Sequence, residues 1–225
     1  VLSHGHYDHT GGLPLVIPRV PTAEIYAHPA ATGPRYSIRE GAAKPIAMPL
    51  AARTALENHP VGVRWTTQAL QLTGSVGVTG PIPRLSDYED TGGPFFVDAD
   101  GQQRDPILDD LALWVRTDRG LVVIVGCSHA GLLNTLRHAL ELSGEARLHA
   151  VLGGFHLTEA SEVRLARTMA ELQELDPDLI VPCHCTGDAA VERFRQTFGE
   201  RVVPGFAGAV YPFGFASERK MGEAT

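Results

Sequence analysis

The stretch Val1-Leu2-Ser3-His4-Gly5-His6-Tyr7-Asp8-His9-Thr10-Gly11-Gly12 constrains this chain more than any other. Three histidines and one aspartate fall within six positions, after an apolar pair and before a double glycine. Side chains alternate along a strand, so His4 and His6 are expected on one face, where two imidazoles can share a metal ion. Asp8 and His9 follow where the strand should give way to a turn, within reach of a second ion. Neutral imidazoles with one carboxylate suit zinc, manganese or iron(II) rather than calcium or magnesium. A purification tag would be an unbroken histidine run, whereas this is a patterned H-x-H-x-D-H.

Three later segments repeat one arrangement, an apolar strand that ends in small residues and a histidine. Asp109 to Thr117 and Leu121 to Val125 read as a hairpin turned at Asp118-Arg119-Gly120, with the second strand buried on both faces. It delivers Gly126-Cys127-Ser128-His129-Ala130-Gly131 into a helix from Leu132 to Leu142. Sites in α/β architectures sit at such strand ends, and His129 is read as a metal ligand. Cys127 is either a thiolate ligand or a small buried residue. Arg147 to Leu152 leads into Gly153-Gly154-Phe155-His156-Leu157, and Thr158 or Ser161 caps a helix to about Leu175. His156 is then a ligand, or a base facing the metal or the substrate. Asp178 to Pro182 ends in Cys183-His184-Cys185-Thr186-Gly187-Asp188, where His184 is read as a ligand of the same centre. A separate zinc knuckle is disfavoured, because three adjacent ligands wrap a tetrahedral ion poorly. A helix over 188–198 and a short strand at Arg201-Val202-Val203 follow, and the tail after Tyr211 reads as poorly organised.

The rest of the chain carries weaker signals. A short helix starts at Leu13 and is stopped by Pro18 and Pro21, and Ala23 to Ala27 is a strand. His28, His138 and His149 are read as ordinary packing or surface residues. Residues 30–60 are rich in Ala, Pro and Arg, with one helix over Leu50 to Asn58. Arg35, Tyr36, Arg39 and Lys44 make that stretch basic, and it is read as a solvated insertion, with a substrate-binding loop as the alternative. Val63 to Trp65 and Ala69 to Val78 are strands, the second broken by Gly74 and Gly77. Residues 85–106, acidic and glycine-rich, read as an extended surface loop.

At 225 residues, 44% hydrophobic and 20% charged, the chain suits one globular domain with a real core. Nineteen basic against 26 acidic residues leave a net charge of −7, which advertises no nucleic-acid partner. No apolar run approaches the ~20 residues of a membrane helix. Three cysteines without framework spacing favour a reducing, cytoplasmic setting. The chain opens at Val1 in what reads as mid-strand, so the domain is expected to be N-terminally truncated.

The opening motif, followed by Gly11-Gly12-Leu13, resembles the H-x-H-x-D-H signature of the metallo-β-lactamase superfamily. The blocks 3–12, Gly80-Pro81-Ile82-Pro83-Arg84, 126–131, 153–157 and 182–187 further resemble a branch labelled dihydropterin-ribofuranosylaminobenzene-phosphate synthase. The resemblance implies an α+β fold, an αβ/βα sandwich of two mixed sheets flanked by helices. It implies one metal on His4, His6 and His129 and a second on Asp8, His9 and His184. One position departs from the superfamily pattern. The bridging aspartate of many members, in a Gly-Asp pair after a buried strand, stands here as Gly126-Cys127.

The expected activity is metal-dependent hydrolysis, or a related transfer, by a metal-activated water on an ester, lactone or phosphoester. Asp8 would hold that hydroxide in line, and His156 would stabilise charge on the leaving group or substrate oxygen. Arg35 and Arg84 are assigned, from residue type, as a clamp on a small anionic substrate such as a pterin or ribofuranosyl phosphate. The alternatives are a phosphodiesterase or nuclease, which would call for a basic face. A redox di-iron protein would call for more carboxylate ligands, and a catalytically silent metal-binding fragment is a third possibility.

Overall fold

The computed structural model describes residues 1–214. Most of the tail after Tyr211, residues 215–225, lies outside them. The helices are α1 (Tyr7–Thr10), α2 (Leu13–Val16), α3 (Leu50–Glu57), α4 (Leu132–Ser143), α5 (Glu162–Leu175) and α6 (Asp188–Phe198). The strands are β1 (Ile25–Ala27), β2 (Tyr36–Arg39), β3 (Ala42–Pro45), β4 (Val63–Trp65), β5 (Leu70–Gln71) and β6 (Val76–Val78). They continue with β7 (Phe95–Phe96), β8 (Leu113–Thr117), β9 (Gly120–Val125), β10 (Leu148–Gly154) and β11 (Leu179–Cys183).

The main sheet has the order β11-β10-β9-β8-β6-β5. β9, β10 and β11 run parallel, linked through α4 and α5, while β8, β6 and β5 are antiparallel to their neighbours. The sheet is therefore mixed, as parallel strands joined by helices and a tight hairpin require. Leu121, Val123 and Val125 pack with Leu132, Leu133, Leu136, Leu172, Phe155 and Phe194 into the largest core. Each apolar side chain buried there contributes roughly 1.5–3 kcal/mol. α5 begins where Ser161 accepts the Arg164 N–H at 3.2 Å, a side-chain cap that sets the helix start. β9 is not sealed on both faces: Val122 is buried, but Ile124 is 40% exposed on the side away from the helices.

The second layer is split into two small sheets, neither of them mixed. β1 and β4 form a parallel pair, and β3-β2-β7 an antiparallel sheet. A separate apolar cluster of Leu13, Ile17, Met48, Ala52 and Leu56 joins α2 and α3 to this side. Together the layers make the α+β sandwich. The strand expected at residues 201–203 is absent: Arg201 ends a 3-10 turn, and Val202 makes an isolated bridge to Ile180. Residues 30–60 hold β2, β3 and α3.

The opening motif is not a ladder strand. Residues 1–6 run between two neighbours, with Leu2 N–H donating to Tyr26 O and Leu111 N–H donating to Ser3 O, both at 2.8 Å. Gly5 is required there, because a Cβ would sit 2.0 Å from the Ala31 carbonyl oxygen. The chain then turns into α1, which carries Asp8 and His9. No described helix is long and apolar enough to cross a membrane.

Candidate metal centre

His4 and His6 meet although they share no strand, because the backbone between them is extended and pinned at both sides. His4 Nε2 lies 3.0 Å from His6 Nδ1. The His129 ring closes against both, with centroids 4.8 and 4.9 Å away. One nitrogen from each of the three lies within 4.8 Å of the others, and all three side chains are buried. His129 Nδ1 donates to the Thr91 carbonyl at 2.7 Å, which leaves Nε2 as the lone-pair atom of the neutral ring. His129 Nε2 and His6 Nε2 have no hydrogen-bond partner among the described residues. Burial pulls all three imidazoles down, His6 to about 3 and His4 and His129 well below the ordinary range. They are therefore neutral at pH 7, the form that ligates a metal.

A second group opens toward solvent. Asp8, His9 and His184 offer donor atoms within 4.8 Å of one another. His9 Nε2 is 3.2 Å from His184 Nε2, and the Asp8 carboxylate is 3.3 Å from His184 Nε2 and 3.7 Å from His9 Nε2. Two nitrogens bound tetrahedrally at about 2.0–2.1 Å would lie roughly 3.3 Å apart, so both groups are close to a ligating spacing. The donor chemistry, the spacing and the orphaned buried nitrogens fit divalent ions.

Between the two groups stands Cys127, buried, with Sγ 3.1 Å from His9 Nε2. Cys185 Sγ is within 4.8 Å of Cys127 Sγ and of His184. Its thiol is pulled down to about 4, chiefly by the hydrogen bond to Cys127, with further help from His156, whereas the same bond and burial push Cys127 up. The His156 ring lies tilted against His129, centroids 4.4 Å apart, and its Nδ1 is buried without a partner among the described residues. Ser128, His156 and His184 adopt left-handed backbone, with φ of 54°, 49° and 52°. Each costs of order 1 kcal/mol or more in a non-glycine residue, a strain that concentrates at working sites.

The loops are held by carboxylates that sequence reading missed. Asp109 accepts the Gly5 N–H at 2.7 Å, and Asp110 accepts the Ala130 N–H at 2.6 Å. Burial pushes Asp110 up to about 7. Two sequence assignments are corrected here. Arg35 is not a substrate clamp: it is buried and paired with Asp105 and Asp109. Arg84 donates to the carbonyls of His129, Pro106 and Ile107, so it supports the His129 loop instead.

Above the donors lies a cavity of about 510 Å³, lined by His6, Asp8, Cys127, His129, His156 and His184. Tyr7, Ser37, Arg39, Lys44, Ile46 and Phe95 also line it. The basic residues facing the donors thus come from β2 and β3, in the stretch read as an insertion. Lys44 Nζ sits 5.5 Å over the Tyr7 ring, and Arg39 makes a two-pronged exposed pair with Glu159. The loop 85–106 folds over the same place, bringing Thr91 to His129 and Gly92 against His156.

A model of the metallo-beta-lactamase superfamily matches residues 1–184. Among curated proteins, the chain is similar to the 7,8-dihydropterin-6-methyl-4-(beta-D-ribofuranosyl)-aminobenzene-5'-phosphate synthase of Methanocaldococcus jannaschii. The two are 28% identical over 226 residues, 95% of this chain and 74% of the relative. An uncharacterized protein of the same archaeon is 32% identical over 200 residues, 87% of this chain and 72% of the relative. Among solved structures, Tm1679, described as a metal-dependent hydrolase of the beta-lactamase superfamily, superposes with a TM-score of 0.78. It is 30% identical, over 92% of this chain and 76% of that one. A family match over most of the residues, agreeing with the sandwich and its histidine-lined edge, leads to one conclusion: the chain belongs to the metallo-beta-lactamase superfamily.

Proposed function

We propose that this protein is a metal-dependent hydrolase of small anionic esters, lactones or phosphoesters. The observation that carries the reading is the meeting of two donor groups, His4/His6/His129 and Asp8/His9/His184, of which His6, His129, Asp8 and His184 line one cavity. Divalent ions held there would supply Lewis acidity and an activated water, with zinc the best match to a histidine-rich set. Its description as a metal-dependent hydrolase makes Tm1679 a supporting precedent.

The protein's own residues divide the remaining work. Arg39 and Lys44, facing the donors, take the negative charge of the substrate and orient its reacting centre. Asp8 is partly exposed at the cavity side of the outer group, where it would help hold an ion and orient the attacking oxygen. His156 delivers a proton, or a hydrogen bond, to the leaving oxygen. Phe95, against His6, His129 and His156, keeps bulk water from that side.

A second reading is group transfer on a ribofuranosyl phosphate. The curated synthase favours it, since the product in its name carries a phosphate that the same basic wall would accept. The test is turnover by the zinc- or manganese-loaded protein on a panel of carboxylic esters, lactones, phosphomonoesters and phosphodiesters. Hydrolysis lost in His129→Ala supports the reading. Absence of turnover on the whole panel, with metal bound, contradicts it.

A further inference from the structure

We propose that the Cys127 thiolate bridges the two metal ions. The inference rests on the paired-metal reading above. Cys127 Sγ belongs to neither group and reaches donors of both. It lies within 4.8 Å of donor atoms of His4 and His9 in one cluster, of His129 and His156 in another, and of His184 and Cys185 in a third. The first and second clusters tie it to the buried ligands, the first and third to the exposed ones.

The surroundings are those of a ligand rather than of a packing residue. Cys127 is buried but stands outside the apolar cluster that β9 and α4 form on either side of it. What it faces instead is a ring of imidazoles, the nearest nitrogen being His9 Nε2 at 3.1 Å. The turn that carries it is fixed. Ser128, in left-handed backbone, donates from Oγ to Gly154 O at 2.9 Å, and Ala130 N–H is held by Asp110. A sulfur about 2.3 Å from each ion spans the ~3.5–4 Å separation usual in two-metal sites, at an angle of about 100–120°. On loading, the thiol proton leaves to solvent and the sulfur donates one electron pair to each ion. A thiolate in that place selects thiophilic ions, zinc or cobalt(II), over magnesium, calcium and manganese.

Cobalt(II) titration of the metal-free protein, read by absorption, is the first arm of the test. Binding of about two ions is expected, with a near-ultraviolet thiolate-to-cobalt band that Cys127→Ser removes and Cys185→Ser keeps. X-ray absorption at the zinc edge of loaded Cys185→Ser protein is the second arm, and it needs no change at Cys127. A bridging sulfur is counted by both ions, so about one sulfur neighbour per zinc is expected at about 2.3 Å. A terminal thiolate would give about half of one. Two ions without the band, a band that follows Cys185, or half a sulfur per zinc would each overturn the bridge and leave the paired site standing. Fewer than two ions would remove the paired site, and the bridge with it.

Discussion

Arg35 and Asp109 form an ion pair sealed from solvent beneath the histidine loop, and the second oxygen of Asp109 accepts the Gly5 N–H between His4 and His6. The pair thereby couples the stability of the fold to the placement of the first two imidazoles. Removing one member of a buried pair leaves the other charge uncompensated, at a cost of about 3–5 kcal/mol. Asp109→Ala is expected to lose stability of that order in urea unfolding, and to weaken metal binding. Retention of Asp105 on the Arg35 guanidinium places the loss toward the lower end. An unfolding midpoint equal to wild type would contradict the coupling.

The pH dependence of the metal-free protein follows from the same burial. His4, His6 and His129 have folded values below the ordinary 6.5, so the unfolded chain binds more protons once the pH drops under 6.5. Stability is therefore full above that pH and falls as pH is lowered, for His6 until about 3. Asp110 works the other way between its ordinary 3.8 and about 7, since it holds its proton in the fold. The lowered histidines outweigh Asp110, so net stability is expected to fall as the pH drops below about 6. Urea midpoints measured in chelator between pH 7.5 and about 4.5 check this. A flat profile would contradict neutral, buried imidazoles.

Gly92 is the point where the loop 85–106 meets His156. A Cβ there would fall 1.9 Å from His156 Cδ2, in backbone of φ +82°. Gly92→Ala is expected to displace the His156 ring and cut turnover by roughly 10²-fold while metal content stays unchanged. Turnover and metal analysis on the same sample decide it. Loss of metal in parallel would mean that the loop supports the ligands and not His156.

In the proposed reaction, Lys44 and Arg39, which line the cavity, take the substrate's charge in place of Arg35 and Arg84. Lys44→Ala is expected to raise KM for a phosphorylated substrate about tenfold or more with little change in kcat, and to leave KM for a neutral ester unaltered. Arg39→Ala should behave similarly. Its exposed pair with Glu159 is worth under about 1 kcal/mol, so the fold should not respond. Equal effects on charged and neutral substrates would remove the anion-binding role.

What could be read beforehand was local. His4, His6, Asp8 and His9 stand in one short motif, and His129 and His184 each follow an apolar strand whose end is visible in the pattern. The helices at 132–143, 162–175 and 188–198 showed themselves by apolar period and by the glycine or serine at their ends. The arginines were not legible, because their roles depend on partners far along the chain. Arg35 meets Asp109 across 74 positions and Arg84 meets His129 across 45. The loop 85–106 looked solvated for the same reason. Its polar residues bond the start of α4, where Glu89 accepts from Leu133 and Asn134, and its backbone reaches His129. The strand expected under His4 and His6 does not form; extended backbone without a ladder has the same alternation.

Metal stoichiometry tests the central claim most directly. Purified protein loaded with zinc and desalted should hold about two ions per chain. His129→Ala and His184→Ala should each lose roughly one, since each removes a donor from a different group. A single ion per chain that is indifferent to His184→Ala would contradict the paired centre.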